Sequence, residues 1–103
     1  PVLSRDLRAL GVAKRGGSYQ LLEDQRVTPL GALKSLLRGT ASAGANLVVV
    51  HCEPGAASAV ARAVEAEEIA GLLGTVAGDD TVFVAVRDEG SGTRVRDRIE
   101  TLL

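Results

Sequence analysis

The 103 residues can hold one ordinary domain, or a small domain with a fragment of another, which excludes two complete cores. Apolar residues at 46% and charged residues at 24% exclude a disordered chain, and no apolar run approaches the roughly 20 residues a bilayer span needs. The net charge of -1 hides an asymmetry: residues 1–22 carry Arg5, Arg8, Lys14 and Arg15 against Asp6, a balance of +3, while eight bases and twelve acids follow, so only the head can meet a polyanion.

Pro1 to Leu10 reads as a short helix with Leu3, Leu7 and Leu10 on one face, stopped by Gly11. Its opening residues, Pro1 to Asp6, show neither a basic leader before an apolar stretch nor a cleavage site, so a cytoplasmic location is the expectation. Val12-Ala13-Lys14 and Tyr19-Gln20-Leu21-Leu22 form two short extended segments around Arg15-Gly16-Gly17-Ser18, a hairpin turn. Glu23 to Pro29 is polar and ends in proline. We therefore divide the chain into a head at 1–22, a linker at 23–32 and a complete small domain at 33–103.

In that domain Leu33 to Ala41 is predicted as a strand, turning at Ser42 to Ala45 into a second strand from Asn46 to Cys52. Pro54 and Gly55 open a helix to about Ala66, with Ala56, Val60, Ala63 and Val64 on one face and Ser58, Arg62 and Glu65 on the other. Strands at Ile69–Ala77 and Thr81–Val86 flank the turn Gly78-Asp79-Asp80. Ser91 can cap a last helix lined by Val95, Ile99, Leu102 and Leu103. The order predicts an α+β fold, a ββαββα two-layer sandwich with both helices on one face of a four-stranded antiparallel-type sheet.

Two helices cover one face, yet the strands are apolar on both: Leu47 and Val49 alternate with Val48 and Val50, and Phe83 and Ala85 with Val82, Val84 and Val86. At about 25 cal/mol per Å² a wet second face forfeits several kcal/mol, so another subunit is expected to cover it, in a symmetric oligomer.

The most informative pair is Asp79-Asp80: adjacent carboxylates at a hairpin tip repel each other, and taken alone such a pair more often reads as a solvated acidic turn than as a binding site. The lone cysteine excludes an intrachain disulfide and a cysteine zinc cage, and no metal site is expected. His51 and Cys52 alternate across a strand, which argues for a structural histidine and a buried thiol rather than a catalytic dyad. Arg62 and Glu65, three apart on a helix, read as a surface ion pair.

Gly74-Thr75-Val76-Ala77-Gly78-Asp79-Asp80-Thr81 resembles a signature stretch of the bacterial arginine repressors. Val48-Val49-Val50-His51-Cys52-Glu53-Pro54-Gly55-Ala56-Ala57 resembles the family's strand and Pro-Gly-Ala-Ala helix start, and Ser4 to Val12 the end of its winged-helix DNA reader. The resemblance implies a non-enzymatic, arginine-responsive transcriptional repressor of arginine metabolism. It implies a hexamer of two stacked trimers with L-arginine, the corepressor, bound between them and no other cofactor. By motif, Asp79 and Asp80 would bind the guanidinium and the Thr75 and Ala77 region the amino-acid end. Ser58 and Glu65 stand where relatives often carry glutamine and aspartate, and the loop after Glu65 is shorter by about one residue. Ser4, Arg5 and Arg8 would meet the major groove, and Lys14 and Arg15 phosphate, as the family's reader and wing do. The helices that precede the reader in the family are not in this sequence, so operator binding is expected only of a complete protein. Two other readings stand beside this one: a dehydratase resembling the pterin-binding proteins, whose several histidines contrast with one here, and a ligand-free oligomeric scaffold with an incidental Asp-Asp turn.

Overall fold

The computed structural model describes residues 27–103, and the first described element carries leucines three apart. Leu30, Leu33 and Leu36 share one side of a 3-10 helix, Leu30–Leu36, because side chains at i and i+3 eclipse in that geometry. Leu30 is fully buried and the other two pack against the core, so the core reaches back into the stretch 23–32. The strand expected from Leu33 therefore starts only at Leu37. Extended backbone would have sent Leu33 and Leu36 to opposite faces. The helix and hairpin read in 1–22 lie outside the described residues.

β1 (Leu37–Ser42), β2 (Leu47–Cys52), β3 (Leu72–Ala77) and β4 (Thr81–Val86) form one antiparallel sheet in the order β1-β2-β4-β3. Helices α1 (Ala57–Ala66) and α2 (Glu89–Glu100) cover one side, which gives the α+β sandwich expected from the sequence. The β-branched runs settle the register: Val48 lies opposite Val84 and Val50 opposite Val82, all fully or almost fully buried under the helices. From α1 come Ala57, Val60, Ala61, Ala63 and Val64, a mostly small face that lets the helix lie close on the sheet. From α2 come Val95 and Ile99, and Gly92, where an added Cβ would touch Val48 and Val86 at 3.4 and 3.5 Å.

Three further boundaries differ from expectation, two for a backbone reason and one for a side-chain cap. α1 begins at Ala57 because Gly55, at φ +86°, spends the residues after Pro54 on a turn. β3 begins at Leu72, not Ile69, because Glu68 and Gly71 take φ of 55° and 87° and the Leu72 N–H closes a turn onto Ile69. A side chain at Gly71 would also collide with Ser91. α2 is capped by Asp88 rather than Ser91: the Asp88 carboxylate accepts from the Ser91 N–H at 2.8 Å and from its hydroxyl at 2.7 Å, which starts the helix earlier and buries Ser91. Leu103, expected on the apolar side of that helix, is 59% exposed beyond its end. No helix among the described residues is long and apolar enough to cross a membrane.

Candidate functional site

The β3–β4 hairpin ends in Asp79 and Asp80 and is closed by the Gly78 N–H, which donates to the Thr81 carbonyl at 2.8 Å. A hairpin tip is usually free to move; this one is tied down by its backbone. The Asp80 carbonyl accepts from the Cys52 N–H at 2.9 Å, and the Asp79 carbonyl from the N–H groups of Gly55 at 3.0 Å and Ala57 at 3.2 Å. The start of α1 has no side-chain cap at Ala56, so the Asp79 carbonyl satisfies one of the helix's otherwise orphaned donors. With both carbonyls turned inward, both residues remain exposed, beside a helix N-terminus whose dipole favours negative charge. The Thr81 hydroxyl donates to Oδ1 of Asp80 at 2.9 Å.

Among the described residues the ion pairs are Arg38 with Glu53, Arg96 with Glu100 and Arg98 with Glu67, so none neutralises the Asp79-Asp80 pair. Its field reaches inward. Burial pushes the Cys52 thiol up, and the Asp80 and Asp79 carboxylates push it further, against a smaller opposing pull from Arg38. Cys52 is thus a protonated, buried thiol, and His51 sits exposed on the other face of the strand, as alternation requires.

Thr75 and Ala77 lie on the helix side of β3, opposite Val84 and Val82. Thr75 Oγ1 donates to Oε2 of Glu65 at 2.5 Å, which joins two of the candidate ligand residues across β3 and α1. The expected Arg62–Glu65 ion pair does not form among the described residues, because Glu65 faces the strand. Ser58 is exposed in the first turn of α1, next to the acid tip. Seven residues of helix, about 10 Å of rise, separate it from Glu65. One chain therefore presents two polar groups at opposite ends of α1: the acid pair with Ser58, and the Thr75–Glu65 pair. Ser4, Arg5, Arg8, Lys14 and Arg15 fall outside the described residues.

The far face of the sheet is apolar, and no other described residue covers it. Leu73 is 61% exposed, Val76 70% and Phe83 48%, and with Leu47 and Ala85 they line a shallow depression of about 380 Å³. Sequence reasoning missed the Thr81 hydroxyl and three backbone amides at the tip. Thr81 carries a signal, a hydroxyl directly following two acids. The amide donors of Cys52, Gly55 and Ala57 carry none, since any residue but proline has one.

A family model described as the C-terminal domain of the arginine repressor matches residues 36–101. The arginine repressor of Anaeromyxobacter sp. (strain K) is 41% identical over 105 residues, which cover 98% of this chain and 65% of that protein. The arginine repressor of Thermotoga maritima is 37% identical over 113 residues, covering 100% of this chain and 74% of its own length. That of Exiguobacterium sibiricum is 38% identical over 109 residues, covering 98% and 73%. The chain thus spans 65% of the length of the Anaeromyxobacter relative, and all three relatives are named as repressors rather than as enzymes.

Proposed function

The chain belongs to the arginine repressor family, and from that membership we propose that it is the assembly and ligand-sensing part of an arginine-responsive transcriptional repressor that acts in the cytoplasm. L-arginine is the corepressor, bound between subunits of a hexamer built from two trimers. The domain at 33–103 assembles and senses; the basic head at 1–22 serves DNA binding in the complete protein.

The observation that carries this reading is the pair of exposed acids, Asp79 and Asp80, held by three backbone hydrogen bonds and left without a cation among the described residues. A rigid, uncompensated acid pair costs little to reorganise around a fork of N–H donors. Thr75, Glu65 and Ser58 add polar groups for the amino-acid end, with Ala77 beside them. Because Thr75 and Glu65 sit at the other end of α1 from the acid pair and Ser58, a ligand that meets both groups bridges two chains, which ties occupancy to assembly. Ligand binding then stabilises the hexamer by mass action.

Calorimetric titration of the chain with arginine, lysine and citrulline tests this. Heat with arginine alone, accompanied by a rise in mass toward a hexamer in sedimentation, is the expected result, and Asp79→Asn is expected to abolish both. An Asp79→Asn protein that binds arginine and assembles as the parent does would remove the basis of the assignment.

A further inference from the structure

We propose that Thr81 is a positioning residue for the ligand, holding the Asp80 carboxylate in the orientation a forked cation demands. The proposal rests on the reading of Asp79 and Asp80 as the guanidinium-binding pair. Thr81 opens β4, its Cα lies opposite that of His51 in the ladder, and its carbonyl accepts from Gly78, so its backbone is fixed. Its β-branched side chain has few χ1 choices, and the hydroxyl donates to Asp80 Oδ1 at 2.9 Å. Asp80 is consequently held twice: its carbonyl by the Cys52 N–H and its carboxylate by Thr81.

Two consequences follow for a ligand. Oδ1 already accepts one hydrogen bond within the chain, so Oδ2 keeps the larger free accepting capacity for an incoming donor. The neutral donor also offsets part of the repulsion between neighbouring acids, so the pair stays in place while empty. A guanidinium carries its donors in one rigid plane and rewards a carboxylate of fixed orientation, whereas an ammonium turns to suit any. Thr81 thereby contributes to preference for arginine without touching it.

The test measures arginine affinity by calorimetry, and thermal unfolding without ligand, for the parent chain, Thr81→Val and Thr81→Ser. Valine keeps the shape and the strand preference and removes the hydroxyl; serine restores the donor. Expected are a roughly five- to tenfold weaker arginine affinity for Thr81→Val, a return to within about twofold for Thr81→Ser, and an unchanged unliganded melting temperature. Parental affinity in Thr81→Val, equal weakening in both variants, or a loss that follows a lower unliganded melting temperature overturns the role. A parent chain that takes up no arginine overturns the acid-pair reading itself, and Thr81's role with it.

Discussion

Asp88 shows how much one side chain can decide. Hydrogen bonds from the Ser91 hydroxyl, and next from the Ser91 N–H, hold its carboxyl below the usual carboxylate range, with smaller help from Arg94 and Arg87. A carboxyl that ionises more easily in the folded chain than in the unfolded one stabilises the fold at neutral pH. That contribution fades as the pH falls from the ordinary carboxylate range, near about 4, through the lower folded value. Asparagine keeps a cap but not the charge. Thermal melts from neutral to acid pH are therefore expected to show the parent above Asp88→Asn at pH 7 and the two converging as the solution turns acidic. A gap that stays constant across the range would refute the role of the charge. The sequence reading named Ser91 as the cap; the Asp88 carboxylate accepts from two donors at once, and Ser91 became a donor instead.

Among the elements, α1 links fold and site. Its first turn lies against the hairpin tip because Gly55 takes φ +86° and aims its N–H at the Asp79 carbonyl. Open space surrounds a Cβ built there, so the cost of a side chain is conformational and not steric. Gly55→Ala is expected to destabilise the domain by about 1 kcal/mol, with Gly55→Asn milder because asparagine tolerates the left-handed region. Urea unfolding measures both; alanine as stable as glycine would show that the turn relaxes and that the tip is not held through it. The hydrophobic spacing of α1 was legible in advance, with Val60, Ala63 and Val64 inward and Ser58 and Arg62 outward, whereas Glu65, read with the outward set, bends to the Thr75 hydroxyl on β3. The leucine run before β1 was not: at this length, a period of three is easily taken for part of an apolar strand.

For the whole molecule the dominant fact is the bare sheet face. Each valine, leucine or phenylalanine moved from water to an interface contributes roughly 1.5–3 kcal/mol, and Leu73, Val76 and Phe83 lie together on it. Val76→Glu places a charge at the most exposed of the three while leaving the helix-side core untouched. Sedimentation at micromolar concentration is expected to give an assembled parent and a folded, monomeric Val76→Glu chain with the same far-UV circular dichroism. A monomeric parent, or an assembly indifferent to the charge, would show that this face is not where copies meet.

What the sequence determined by itself was periodic or chemical in kind. Alternating valines specify strands, helical spacing specifies which side of α1 is buried, and two adjacent acids within a recognisable motif specify where a cation is to be sought, because each of these properties is carried by side-chain identity at fixed local separation. Tertiary structure decided the rest: that the Asp79 and Asp80 carbonyls are tethered by Cys52, Gly55 and Ala57, that Glu65 turns to Thr75 and away from Arg62, and that the acid pair and the Thr75–Glu65 pair lie at opposite ends of α1. Those outcomes depend on backbone amides and on elements far apart in the chain meeting at particular angles, and backbone amides are nearly the same at every residue.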